Sequence, residues 1–356
     1  MKYIKENLKE FETCNILTWH NLGYTGKGIK IANMEACCPS SPIHEGKVLD
    51  PFNIAYKELK NSHGDKTANV LHQIAPDATI YSLSDGFNRK NDYIYGNLVD
   101  NTIPFIKENR ICLVNASLEG YNFKAINNIY EELKTHNVTL VTSAGNIGSR
   151  GLTAYAQSNV WIAVGAAGYN DWTEHKPTIF LKDYSSIGKE LDLVSFSGLA
   201  IRDVTDYDRA FEVDGTSFSS PMFCGMLALV QQLFLEKTGR TLYQDEIELL
   251  LQDNLIDLGA AGWDEKFGHG LFILPHPNEI DVNKYLLRGQ PPKGGEILKF
   301  PDVKKDRWSA ADIDLVSNLG IMQGLPDGTF APAKPVTREE LATVIARLIR
   351  EGYIKK

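Results

Sequence analysis

From about residue 26 the hydrophobic positions fall into short, nearly continuous β-branched runs, separated by stretches in which apolar residues recur every three or four positions. The runs are GIKIANM (28–34), TIYSL (79–83), ICLVNASL (111–118), VTLVTSAG (138–145) and VWIAVGAA (160–167). They are too apolar to alternate, so they predict strands buried on both faces. TANVLHQI (67–74), NLVDNTIPFIKEN (97–109) and KAINNIYEELKTHN (124–137) predict the helices between them. The alternation predicts an α/β domain: a mainly parallel sheet with helices on both faces, its functional groups gathered at the carboxyl ends of the strands. SSPMFCGMLALVQQLFLEKTG (219–239) is apolar on most sides and predicts a buried central helix.

The pattern breaks after residue 285. RGQPPKGGE (288–296) is Pro/Gly-rich and almost without apolar residues, which reads as a linker. Beyond it a helical pattern from Trp308 to Leu319, the turn Pro326-Asp327-Gly328 and the amphipathic TREELATVIARLI, opened by Thr337 as N-cap, predict a small helical module. The expected organisation is a 1–20 N-terminal extension, a 21–285 main domain, a 286–297 linker and a 298–356 module. The module occurs once.

Charge narrows the partners. A formal net charge of -8 argues against a basic, phosphate-binding face, so no nucleic acid partner is expected. No apolar run approaches the roughly 18 residues needed to span a bilayer. MKYIKENLKEFETCNILTWHN lacks the apolar core of a secretory signal. Five cysteines, two of them adjacent (Cys37 and Cys38), make a poor disulfide framework, and none has zinc spacing. Read alone, these features predict a cytoplasmic protein without a structural metal.

Candidate chemistry lies where strands should end. ANMEACC delivers Glu35, NSHGDKTANV places His63 at a loop-to-helix junction, and VDGTSFSSPMFCG holds Ser217 between small residues at the head of the central helix. A serine hydroxyl is a poor nucleophile until a base takes its proton. That base is usually histidine, with a carboxylate to fix its tautomer. VTSAGNIG ends its strand on Gly145-Asn146, where a side-chain amide can meet a developing oxyanion. By itself, without the other segments, Ser217 reads as a helix N-cap. Asp65 is near enough in sequence to perturb His63.

Together these segments resemble the subtilisin-like (subtilase) serine peptidases. GTSFSSP resembles the family's GTSxxSP nucleophile motif, SHG the start of its HGTHVAG histidine motif, and AGN its oxyanion motif. IAPDATIYSL, NASLEG, YSSIGKELDLVSFSG and GWDEKFGHGLF resemble further family segments, all in family order across about 285 residues. The resemblance implies an endopeptidase with Ser217 as nucleophile, His63 as general base and Asn146 in the oxyanion hole. Ser117, Leu118, Glu119 and Gly120, with Ala144 and Gly145, would flank the specificity pocket and pair with an extended polypeptide substrate. It implies no cofactor for the chemistry. Structural calcium is common in the family, but no acidic loop here is specific enough to assign its ligands.

Two departures keep a second reading open. The family's acid is aspartate in V-x-D-[ST]-G, whereas this chain offers Glu35. The histidine motif also changes after Gly64 to Asp65-Lys66. Glutamate serves in other Ser-His-acid enzymes. A misplaced base, though, would leave a catalytically impaired pseudo-peptidase that binds or scaffolds. No large pro-domain is recognisable, which leaves residues 1–20 as the candidate for a short inhibitory extension.

Residues 298–356 resemble a single S-layer homology (SLH) module, through FPDV (300–303), Trp308, LGIMQGLPDGTFAP (319–332) and VTREELATVIARL (336–348). The resemblance implies a core holding Phe330 and Leu341, and Arg338 as a contact to anionic cell-wall polysaccharide, for which a planar cation is suited. The family usually uses three such modules. One copy implies either self-association of chains or protein contacts alone. An envelope location conflicts with the cytoplasmic features; a phage-encoded protein released at lysis would reconcile them.

Overall fold

The computed structural model describes the chain except residues 1–2, 36, 38–44, 53, 55–61, 85–97, 121–123, 171–177, 204–205, 207, 288–299, 305–306, 308, 311–312, 314–315, 318–320 and 351–356. The linker, Trp308, much of the helix predicted after it, and Cys38 therefore lie outside the described residues. Two compact units form. One comprises Met1–Leu235 with Thr241–Asp281, the other Glu236–Arg240 with Val282–Lys356.

The first unit is built on a ten-stranded sheet. Its strands in chain order are β1 (Lys30–Asn33), β2 (Val48–Leu49), β3 (Thr79–Ser82), β4 (Leu113–Ala116), β5 (Thr139–Ser143), β6 (Ile162–Asn170), β7 (Thr178–Leu181) and β8 (Leu193–Phe196), completed by two short strands after a hairpin. That hairpin pairs β9 (Leu199–Arg202) with β10 (Ala210–Val213), and β11 (Leu255–Ile256) and β12 (Leu271–Phe272) follow. The spatial order is β11-β12-β8-β6-β5-β4-β1-β3-β2, with β7 antiparallel on β6. Neighbours from β2 to β8 along this path pair in parallel, as the continuous apolar runs predict. Chain order reverses at β1, which lies between β3 and β4. Such a switch point opens a crevice at the carboxyl ends of the strands.

The helices are α1 (Leu8–Thr13), α2 (Ile16–Asn21), α3 (His63–Ile74), α4 (Ile103–Glu108), α5 (Lys124–Thr135), α6 (Thr216–Thr238) and α7 (Gln244–Asn254). Ile103 and Ile106 of α4 and Ile126, Tyr130 and Leu133 of α5 pack with Ala32, Val114, Ala116 and Leu140 on one face of the sheet. Side chains on the other face of β1 and β4 meet α3 and α6. Helix α6 is long and apolar enough to cross a membrane, contrary to the expectation that no stretch is. Because 94% of its most apolar window is buried inside the protein, it is a core helix.

The expected 1–20 extension packs into this unit. Phe11, Ile16 and Trp19 are fully buried, the Asn7 amide donates to Ala200 O at 2.7 Å, and the Trp19 indole donates to Pro275 O at 2.8 Å. Cys14, Cys37, Cys112 and Cys224 are free and buried.

The second unit contains α8 (Val282–Tyr285) and α9 (Arg338–Arg350). Thr337 caps α9 as predicted: its hydroxyl accepts from Glu340 N at 3.1 Å while the Glu340 carboxylate accepts from Thr337 N at 2.7 Å. Phe300, Val303, Ala310 and Ile313 form the core, with Phe330 packed on it. Leu341 does not join them. It is 48% exposed, because its position in the first turn of α9 faces away from that cluster.

Candidate active site

The strand carrying the acid ends by design of its backbone. Met34 N donates to Asn115 O at 2.9 Å and Glu35 N to Asn33 O at 2.7 Å, which turns the chain out of the sheet after β1. The Ser82 hydroxyl, on β3, then donates to Glu35 O at 2.7 Å. Glu35 is thus fixed from both neighbouring strands, with its side chain only 8% exposed.

His63 opens α3. Ser62 is the N-cap, its hydroxyl accepting from Asp65 N at 3.0 Å while the Asp65 carboxylate accepts from Ser62 N at 3.2 Å. The expected influence of Asp65 on His63 gives way to this role in the capping box. His63 Nδ1–H donates to Glu35 Oε2 across 2.5 Å, which leaves Nε2 as the ring's acceptor. Burial works against the imidazolium, but the hydrogen bond and charge of Glu35 outweigh it and raise His63 above the ordinary histidine value. Burial likewise pushes Glu35 up, against the pull of His63. The second oxygen, Oε1, is buried and has no hydrogen-bond partner among the described residues.

Ser217 is the second residue of α6, not its N-cap, and is half-buried. The helix starts three residues earlier than predicted, at Thr216, which places Pro221 beyond its first turn. Pro221 has no N–H to offer the Ser217 carbonyl one turn back. Ser117, just past the end of β4, donates its hydroxyl to that carbonyl at 2.9 Å instead. The Ser217 hydroxyl points to Ser117 O, 3.5 Å away, rather than to His63, whose ring lies against Phe218 with centroids 5.7 Å apart. Such bonds are often loose before substrate binds.

Asn146 is exposed, yet its amide is oriented. Oδ1 accepts from Thr216 N at 2.8 Å and from the Thr216 hydroxyl at 3.0 Å. The Nδ2 donor is thereby turned away from the helix, with no partner among the described residues. Gly215 is required beside it, because φ there is +136°, a backbone conformation that side chains with a Cβ rarely adopt. Gly145 N donates to the same Thr216 hydroxyl at 3.0 Å, so segment 144–146 is tied to the start of α6. Ser117, Leu118, Glu119 and Gly120 run past Ser217 on the other side. Of these Ser117 is buried and Glu119 exposed.

Sequence reasoning missed the polar network beneath these groups. Asn33 on β1 donates to the Thr67 hydroxyl on α3 at 3.0 Å and accepts from the Asn115 amide on β4 at 3.0 Å. Asn115 also donates to Ser117 Oγ at 3.1 Å, and its carbonyl accepts from the Ser220 hydroxyl of α6 at 2.5 Å. Asn33, Asn115 and Ser220 are completely buried. One network therefore joins the elements that deliver Glu35, His63 and Ser217. An asparagine in each of two apolar strands was the signal. Among the described residues no group of three or more His, Cys, Asp or Glu could hold a metal ion.

Arg338 lies in the second unit, exposed in the first turn of α9. The Asp327-Gly328 turn forms as expected, with φ of +84° at Gly328.

Similarity to known proteins follows the same division. The S-layer homology domain model matches residues 299–342. Over 54 residues the chain is 39% identical to a cellulosome-anchoring protein of Acetivibrio thermocellus, covering 15% of this chain and 12% of that one. Over 323 residues it is 29% identical to the minor extracellular protease Epr of Bacillus subtilis, covering 83% of this chain but only 44% of that relative's length. The fold is similar to that of fervidolysin from Fervidobacterium pennivorans, a keratinolytic enzyme related to subtilisin, with a TM-score of 0.62, 19% identity, and coverage of 82% of this chain and 47% of that one. The matching span of the subtilase model runs from residue 53 to 270, starting downstream of Glu35 and taking in His63, Asn146 and Ser217; the chain belongs to the subtilase family.

Proposed function

We propose that the chain is a serine endopeptidase that hydrolyses peptide bonds through an acyl-enzyme on Ser217, with His63 as general base and Glu35 as the acid that orients it. The observation that carries this reading is the pairing of a Glu35-bound His63 with a Ser217 turn whose neighbour Thr216 aims the Asn146 amide.

Ser217 Oγ attacks the scissile carbonyl as its proton passes to His63 Nε2, while Glu35 holds Nδ1 and stabilises the imidazolium. The developing oxyanion meets Asn146 Nδ2 and the Ser217 N–H. His63 gives the proton to the departing amine. A water then loses its proton to Nε2 and attacks the ester, and the proton returns to Ser217 Oγ. No metal or cofactor takes part in these steps.

Labelling by a fluorophosphonate, read by intact mass, tests the proposal. Wild type should take up one label, while Ser217→Ala should take up none and His63→Ala far less. A folded wild type that resists labelling, with recovery in Glu35→Asp, would instead favour the binding or scaffold reading. The unpartnered Glu35 Oε1 is the observation on that side.

The SLH module adds a location. The cellulosome-anchoring relative and the S-layer homology match support association with a cell surface, through anionic wall polymer and Arg338 or through self-association of chains. The cytoplasmic location expected from the sequence has no support in these similarities. Retention of the full chain on purified cell-wall sacculi, weakened in Arg338→Ala, is the expected result.

A further inference from the structure

Asn146 Nδ2 and the Ser217 N–H sit on different segments, and they stabilise a developing charge only where they converge on one oxygen. Just before Ser217 lies Gly215, whose φ of +136° and missing Cβ give the peptides on either side little stiffness of their own. Groups outside the turn must fix them.

Ser197, Tyr184 and Asp214 do so. Gly215 N–H donates to Ser197 Oγ at 2.9 Å and to the Tyr184 phenol oxygen at 3.0 Å. Ser197 Oγ also lies 2.9 Å from Gly215 O, the carbonyl of the peptide whose N–H, on Thr216, donates to Asn146 Oδ1 at 2.8 Å. The Tyr184 phenol donates to Asp214 Oδ1, and Lys182 Nζ donates to Asp214 Oδ2 at 3.2 Å. Burial opposes the Asp214 charge, but hydrogen bonds from Tyr184, Ser197 and Lys182 outweigh it and hold the carboxyl below its ordinary value. Burial and the bond to Asp214 push the Tyr184 phenol up. The carboxylate is thus the acceptor and the phenol the donor, which leaves the phenol lone pairs to Gly215 N–H.

The backbone of the same segment holds the other donor. Gly148 N donates to Tyr184 O at 2.9 Å, Ser186 N to Gly145 O at 2.9 Å, and Ile147 N to Ser186 Oγ at 3.3 Å. Tyr184 therefore reaches the loop of Asn146 through its carbonyl and the turn of Ser217 through its phenol.

We infer that Tyr184 is a positioning residue for catalysis: with Asp214 it sets the Gly215 peptide, and through it the convergence of Asn146 Nδ2 and the Ser217 N–H on the oxyanion. This rests on the reading of Ser217 as the nucleophile.

The test uses the full chain and a peptide anilide. Tyr184→Phe keeps the ring and the carbonyl and removes only the phenol. It should lower kcat about tenfold or more, with KM changed less than about twofold. Made in an Asn146→Ala background, the same substitution should cost much less, because one of the two donors it aligns is already gone. Asp214→Asn should lower kcat in the same way, and it carries the same cycle if Tyr184→Phe does not fold. A wild-type kcat in these variants, or an equal fold loss with and without Asn146, overturns the inference. Fluorophosphonate labelling of the same preparations separates the failures. Wild type that labels and cleaves, with Tyr184→Phe as fast, sinks this inference alone. Wild type that neither labels nor cleaves removes the nucleophile reading and this inference with it.

Discussion

Ser117 donates its hydroxyl to the Ser217 carbonyl, 2.9 Å away, the carbonyl that Pro221 leaves without a helical donor. The residue that frees the first turn of α6 from regular helix bonding is thus answered from a different strand end. Ser117→Ala should strip that carbonyl of its donor. A loss of about 1 kcal/mol in urea-measured stability is expected, with a larger effect on kcat than on KM. An unchanged kcat would mean that the turn holds its shape without Ser117.

Asn33 and Asn115 carry the same idea deeper. Their 3.0 Å bond crosses from β1 to β4, with Thr67 of α3 on one side and Ser220 of α6 on the other. Asn33→Leu keeps the branched shape and heavy-atom count of the side chain but leaves the Asn115 amide short of an acceptor in a buried place, at a cost of roughly 1–3 kcal/mol. A double-mutant cycle with Asn115→Leu should depart from additivity by more than about 0.5 kcal/mol, since the two side chains share one network. Additive losses would show two independent packing defects.

How the sequence compares with the structure can be seen in these residues. The five strands, the buried helix and the order Glu35, His63, Ser217 were readable because apolar runs and small-residue motifs are local signals. The bond between Ser117 and Ser217 was not. It joins residues 100 positions apart, and nothing in either motif states which hydroxyl replaces the donor that proline lacks. The early start of α6 has the same origin, because the carbonyl that Pro221 leaves without a donor is answered from outside the helix. Leu341 failed for the opposite reason: its helical spacing is apolar, but that stripe faces away from the core around Phe300.

The pair of Glu35 and His63 fixes the sign of the pH dependence. His63 is raised by the carboxylate, so the acid limb of kcat/KM should lie above the pH of an ordinary histidine. Its contribution to stability is present below the unfolded value and lost as pH rises through the folded one. Glu35→Gln removes the charge, so the limb should move to lower pH while the rate falls by up to about 10⁴-fold, as when the acid of a Ser-His-Asp triad becomes an amide. A limb that stays in place would mean that Glu35 does not govern the histidine.

Asn146 makes a cleaner case, because Thr216 already holds both hydrogen bonds that orient its amide. Asn146→Ala should cost about 100- to 1000-fold in kcat with little change in KM, a magnitude that comes from subtilisin, a member of the same family. Thr216→Val should give a smaller loss of the same kind, since it removes the hydroxyl but keeps the N–H that Asn146 Oδ1 accepts. Equal losses in KM and kcat would place the amide in ground-state binding.

Far from this crevice, Asp192 gives the fold a pH dependence of its own. It precedes β8, its carboxylate accepts from Ala163 N at 2.7 Å, and its carbonyl accepts from His269 N at 2.8 Å. Burial pushes its carboxyl from 3.8 up to about 7; Glu248 adds to the rise, and the Ala163 hydrogen bond and Lys134 oppose it. Between those values the folded chain holds a proton that the unfolded chain has lost. Stability from this group is therefore complete below about pH 4 and declines as pH rises towards 7. Asp192→Asn keeps an acceptor for Ala163 N and removes the titration. Urea midpoints measured across that range should fall more steeply in wild type than in the variant, and parallel curves would show that the Asp192 carboxyl is ionised throughout.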